Sequence, residues 1–325
     1  MKEIKKIKIH NKLLLLISLV LFFFAGFYIF QEISEKSNEF HLLEFKIHPF
    51  AFCLFVFILI SLQFFNWLFE AIKFKILFKP YEVISLKRSV VSVYIGNFTS
   101  FFTPDRIGSF IGRILYLKNS SKLMITAVTA LGNLAQLLTT VFFMIIGCIL
   151  CLIIDHQLKE IPTEIVLMFM LIYLSLFFML IIIYFRPSYL FKFMGRWELA
   201  KNYISRLNTL DQISIKNKFT VLILSMLRYF IFYLQFYVLI YFLELDISEI
   251  ELFIFIGILY GIITFIPSPF MVNLGTREAL SIYLASETIG LYAPIITFVI
   301  WLVNVALSTI IGGGLYSYIL RKERR

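Results

Sequence analysis

The chain is poor in charge, cysteine and histidine. Asp, Glu, Lys and Arg make up only 15% of its 325 residues, while 60% are hydrophobic, so there is too little polar side chain to cover a soluble surface of this size. Cys148 and Cys151 form a C-x-x-C inside an apolar run, without thioredoxin-like surroundings, and read as small packing residues; Cys53 stands alone. The four histidines, His10, His41, His48 and His156, form no metal-ligand spacing. No Walker A loop, dinucleotide fingerprint or G-x-S-x-G elbow occurs, so nothing points to ATP hydrolysis, hydride transfer or a serine hydrolase. No cofactor, metal or catalytic residue is expected, and the chain does not read as an enzyme.

What is present in quantity is long apolar runs. Six are long enough to span a bilayer: Leu13 to Phe30, Pro49 to Phe69, Leu123 to Ile154, Ile161 to Phe185, Phe219 to Leu243 and Pro294 to Leu320. The first follows Lys2, Lys5, Lys6, Lys8 and Lys12, is long for a signal-peptide core and lacks a small-residue cleavage site after it, so it reads as an uncleaved helix. The net charge of +10 resides mainly in short connections, where topology explains it better than nucleic acid does. Basic connections, such as Lys73, Lys75, Lys79, Lys87 and Arg88, alternate with acidic ones, such as Glu244, Asp246, Glu249 and Glu251. The positive-inside rule then places both termini in the cytoplasm.

Two further apolar stretches, 89–117 and 252–285, are broken near the middle by patches bearing proline and charge. Thr103-Pro104-Asp105-Arg106 interrupts the first, and residues between Pro267 and Glu278 interrupt the second. The alternation of loop charge holds only if each stretch returns to the side it came from. The predicted fold is therefore an all-α polytopic membrane protein, with about six spanning helices and two re-entrant helical hairpins entering from opposite sides. It forms a single integral membrane domain, 1–325. A first half, 1–185, carries the cytoplasmic-side hairpin. A basic linker, 186–218, with Tyr189, Leu190, Phe191 and Trp197 among its bases, suits an anionic inner leaflet. The second half, 219–320, carries the outside-entering hairpin.

The hairpins resemble each other: Gly96-Asn97-Phe98-Thr99 leads to Pro104 and Gly108, and Gly261-Ile262-Ile263-Thr264 leads to Pro267 and Gly275. Similar elements inserted from opposite faces are what an inverted repeat predicts, with the substrate between the broken helices. A charged side chain at membrane depth is costly and marks a ligand path. Thr103 can cap the returning arm with Pro104 at its first position. The free N–H groups and Arg106 then suit a phosphate, and Thr276 with Arg277 can do the same from the other side. The competing reading has Asp105 and Glu278 complementing helix dipoles and pairing with Arg106 and Arg277. Arg228 lies deep in the fifth long run and is assigned a supporting role in the same cavity. Asn133 and Gln136, at i and i+3, are candidates for the site or for tying helices together.

The order Asn66-Trp67 with Lys73 and Lys75, then Pro104-Asp105-Arg106-Ile107-Gly108, then Pro267-Ser268-Pro269 through Gly275-Thr276-Arg277-Glu278 resembles the lysylphosphatidylglycerol synthase transmembrane family. This is the flippase-like domain of bacterial multiple peptide resistance factors, which also occurs alone. The resemblance implies movement of aminoacylated or glycosylated phospholipid between leaflets of the bacterial cytoplasmic membrane, with headgroup-handling roles for Arg106, Arg277 and Glu278. It also implies a phospholipid or glycolipid as partner, together with a second copy of the chain or a separate lipid-modifying enzyme. The chain departs from the family pattern at Ser109, at Phe270-Met271 and in the neutral stretch around Asn133 and Gln136; loss of carboxylates weakens the case for a cationic headgroup. No aminoacyl-transferase domain is read, so synthesis of a lysyl-lipid by this chain alone is not expected. The expected function is a lipid flippase or transporter. The alternatives are a membrane enzyme or subunit acting on a lipid-linked sugar or acyl carrier, with Asp105 or Glu278 as base, and a non-transporting envelope scaffold.

Overall fold

A computed structural model describes residues 31, 49–103, 107–117, 120–154, 162–189, 208–266, 274–285, 289–290 and 292–323. The described elements are helical. Numbered from the first long one, they are α1 (Pro49–Phe78), α2 (Leu86–Phe101), α3 (Gly108–Tyr116), α4 (Lys122–Ile153) and α5 (Thr163–Phe185). They continue with α6 (Ile215–Phe242), α7 (Glu249–Ile263), α8 (Thr276–Leu284), α9 (Tyr292–Trp301) and α10 (Leu307–Glu323). A π-turn, Leu302–Ala306, joins α9 to α10 without breaking the helix. Among the described residues, five helices are long and apolar enough to cross a membrane: α1, α4, α5, α6 and the continuous Tyr292–Glu323. The expected helix Leu13 to Phe30 and most of the basic linker lie outside the described residues.

Polar residues at the run boundaries start the helices. Ser85 and Ser214 accept the backbone N–H groups of Arg88 and Asn217, each at 3.2 Å. Ser248 and Glu251 close a reciprocal capping box at the start of α7. Large apolar side chains on α1 and α5, among them Phe50, Phe57, Leu171 and Phe178, face outward and exposed, the surface expected of a protein bathed in hydrocarbon rather than water.

The central pair is α1 and α6, which run antiparallel. Phe55 near the start of α1 stacks on Phe242 at the end of α6, 4.0 Å between ring centroids. Tyr81 beyond the end of α1 accepts a 3.3 Å hydrogen bond from Thr209 ahead of α6. Each helix is followed by a pair of short helices, so the two pairs start from opposite ends of the bundle. Contacts also join the flanks of each pair to neighbouring segments. For α2 and α3, Glu82 accepts from Arg88 at 3.5 Å and from the hydroxyl of Ser120, which precedes α4. At the other end, Leu280 and Leu284 of α8 border the same cavity as Pro162 and Ile165 at the start of α5.

Close backbone approach holds the first pair together. A Cβ on Gly108 would lie 2.2 Å from the Thr99 carbonyl oxygen, and one on Gly112 would lie 2.5 Å from that of Ile95; only glycine fits at this crossing. The Thr99 hydroxyl donates to the Gly108 carbonyl at 2.5 Å. The end of α7 reaches the middle of α5. Phe265 meets Tyr173 with ring centroids 5.6 Å apart, and Tyr173, about 15 Å along α5 at 1.5 Å per residue, donates to the Gly261 carbonyl at 2.9 Å. Each pair packs on the long helix that follows the other pair, α2 on α10 and α7 on α4.

Candidate functional site

Where α1, α3 and α6 converge, the interior becomes polar. Glu70 on α1 is 5% exposed and takes three cations. Arg113 Nη2 on α3 donates to Oε1 at 2.9 Å, Lys73 Nζ lies 3.2 Å from Oε2, and Arg228 Nη1 on α6 donates to Oε2. Local packing orients each cation. Arg113 Nη1 donates to Thr129 on α4 at 3.3 Å, and its guanidinium lies 4.7 Å from the Phe74 ring centre. Arg228 Nε donates to Asn66 Oδ1 at 2.8 Å, and its guanidinium covers Trp67 at 5.2 Å. Lys73, wholly buried, also reaches Gln136 Oε1 at 3.5 Å.

The polar core continues away from the charges. Asn66 Nδ2 donates to Asn304 Oδ1 at 3.1 Å, and Asn304 Nδ2 donates to Gln235 Oε1 at 2.7 Å. Among the described residues, three cations share one carboxylate. Removing this much unbalanced positive charge from water is expensive, and an anion is the natural complement. Arg113 Nε is buried without an acceptor, so one donor of the cluster is unspent.

The model of the lysylphosphatidylglycerol synthase TM region matches residues 12–312. The chain belongs to this family. No significant match occurs among curated proteins or solved structures. Membership of the family and the five long apolar helices identify an integral membrane protein of a lipid-related family.

Seen as a member of this family, the chain distributes its candidate residues unevenly. Arg228 is at the heart of the cluster, and Gln136 touches it through Lys73 and through a 3.4 Å bond from Nε2 to the Ser225 carbonyl. Asn133 is exposed on α4, and no hydrogen bond or ion pair joins it to the cluster among the described residues; it lies about 60° round the helix from Gln136, far enough to put it at the exposed edge of that face. Thr103 accepts the Gly108 N–H at 2.7 Å, but the returning arm begins at Gly108 with Ile107, not Thr103, in the N-cap position. Arg277 is 7% exposed and donates Nη2 to its neighbour Glu278 at 2.6 Å, leaving Nε without an acceptor. Glu278 also accepts the Gly275 N–H at 2.6 Å, so it complements the start of α8 and neutralises Arg277 together. Thr276, which is buried, opens α8 but does not cap it; that position falls to Gly275, whose φ is 86°. Asp105 and Arg106 lie outside the described residues, as do Pro104 and Pro267 through Met271.

Four members of the cluster and its amide extension carry no assigned role in the sequence reading: Glu70, Arg113, Gln235 and Asn304. Lys73 is expected there as a loop charge. It is instead buried, because α1 runs on to Phe78 rather than ending near Phe69. The spacing of Asn66, Glu70 and Lys73 is i, i+4, i+7, the signature of one helix face, and that is the signal that identifies them.

Proposed function

We propose that the chain moves a phosphate-bearing lipid, in aminoacylated or glycosylated form or unmodified, between the leaflets of a bacterial cytoplasmic membrane. The observation that carries this reading is the excess of buried positive charge around Glu70, where Lys73, Arg113 of the first hairpin and Arg228 meet one carboxylate. A phosphodiester supplies the missing negative charge, and guanidinium groups match its oxygens in pairs. In this account the hairpins are re-entrant, with the termini on the cytoplasmic side, and the lipid tails stay in the bilayer while the headgroup passes between the hairpins by alternating access. Arg277, with its unspent Nε, serves the headgroup from the second hairpin, and Glu278 keeps that arginine in place. The driving force is a gradient or downhill exchange.

The test is to extract and identify by mass spectrometry the lipids that accompany the detergent-purified protein. The wild type is compared with an Arg113→Gln, Arg228→Gln double variant, in which Lys73 alone balances Glu70. An anionic lipid enriched over the membrane average, and returning to that average in the variant, supports the reading. A bulk-like profile in the wild type overturns it.

A further inference from the structure

The long helix Tyr292–Glu323 is not uniformly wound. Leu302–Ala306 forms a π-turn, which accommodates one residue more than an α-helix and often marks a functional site. The helix segments on either side hold different hairpins. α9 lies on α8, where the hydroxyls of Thr297 and Ser281 stand 3.5 Å apart. α10 lies on α2 so closely that a Cβ on Gly312 would sit 2.0 Å from the Tyr94 carbonyl oxygen. The π-turn is thus the joint between a body that includes the first hairpin and one that includes the second.

Asn304, in the turn and 3% exposed, ties this joint to both central helices. Its Nδ2 reaches Gln235 on α6 and the Ile300 carbonyl, at 2.7 and 3.0 Å, while its Oδ1 takes Asn66 on α1. Its carbonyl accepts Trp67 Nε1 at 3.2 Å. Asn66 and Trp67 both hold Arg228 beside its ion pair with Glu70, one through the Nε bond and the other through its ring. Gln235 Nε2 is fully buried and has no acceptor. This spare donor gives the amide hub a further hydrogen bond to make when Asn304 moves.

We propose that the π-turn is the hinge about which the two hairpins rock, and that Asn304 is the positioning residue coupling that motion to Arg228. The proposal rests on the reading of the chain as a mover of anionic lipid. When the turn flexes, the Asn304 side chain moves relative to α1 and α6, and Asn66 carries the displacement to the guanidinium. Headgroup capture and hairpin motion then become one event.

The test uses the full chain with its cysteines replaced and spin labels at the exposed positions Ile111 on α3 and Tyr283 on α8, reconstituted with or without phosphatidylglycerol. Two inter-label distance populations are expected, with their ratio changing when the anionic lipid is added. Deleting Leu302, which is exposed, removes the extra residue and restores α-helical winding. The deletion is expected to leave one population that no longer responds to lipid. Asn304→Ala keeps the turn and its length but cuts the hub, and is expected to shift the population ratio at least threefold even if the deletion does not fold. Identical distributions in wild type and Asn304→Ala, or a single population in the wild type, overturn the hinge. A lipid-responsive pair of populations in a protein that moves no lipid would sink the transport reading and leave the hinge standing.

Discussion

Glu70 and Arg113 are 43 residues apart in the chain, yet Arg113 Nη2 donates to Glu70 Oε1 at 2.9 Å inside the bundle. This bond anchors the returning arm of the first hairpin to the central helix α1. A hairpin packed only through glycine contacts is free to slide along its neighbours. One held by a buried ion pair is fixed in register, and it carries its cation to the same carboxylate that α6 reaches with Arg228.

Glu70→Gln removes the common partner of three buried cations. Breaking a buried pair from one side costs about 3–5 kcal/mol, so the variant should melt well below the wild type in detergent. Replacing the whole set, with Glu70→Gln, Lys73→Met, Arg113→Met and Arg228→Met together, should cost less than the single change. It should also abolish anionic-lipid enrichment. If the fourfold variant is the less stable of the two, the cluster is a structural element first.

Gly112→Ala puts a Cβ within 2.5 Å of the Ile95 carbonyl oxygen and should destabilise by about 1–3 kcal/mol through overpacking. Gly314, in α10, has nothing within 4 Å of the same position. Gly314→Ala should therefore be neutral or gain up to about 1 kcal/mol from helix propensity. Thermal melts of the two variants side by side test the close-packed hairpin, and equal effects would contradict it.

Gly275 caps α8 at φ 86° and ψ −53°, a strained backbone region that costs other residues on the order of 1–3 kcal/mol. Gly275→Ala should disturb the N–H that Glu278 accepts, and with it the Arg277 pair. The measured consequence should be a lower melting temperature. An unchanged melt would show that the turn does not depend on glycine.

The long spans were legible because hydropathy over twenty residues is a strong signal. The five described ones begin or end within a few residues of the expected limits, apart from the C-terminal extension of α1. That exception explains why the cluster was missed. Glu70, Lys73 and Lys75 fall at the edge of an apolar run, where charge ordinarily marks a loop; that rule outweighs the i, i+4, i+7 spacing of Asn66, Glu70 and Lys73, whose shared face the convergence of α1, α3 and α6 buries. Arg113 was hidden for a similar reason, since a cation near the end of a short arm resembles a topological marker. Arg228 stood out because it lies far from either end of its run. Asn133 and Gln136 share an i, i+3 spacing, but at the edge of a half-buried face that spacing leaves one side chain exposed and the other half-buried.

The most direct measurement is lipid movement itself in vesicles containing the full-length protein and an NBD-labelled phosphatidylglycerol, with dithionite quenching the outer leaflet. The account predicts that wild-type vesicles lose nearly all fluorescence. Arg113→Gln, Arg228→Gln vesicles, with equal protein incorporated, should lose only the outer half, as protein-free vesicles do. Complete quenching by the variant at the wild-type rate would contradict the assignment of the Glu70 cluster as the headgroup site. Half-quenching by the wild type itself would contradict lipid movement.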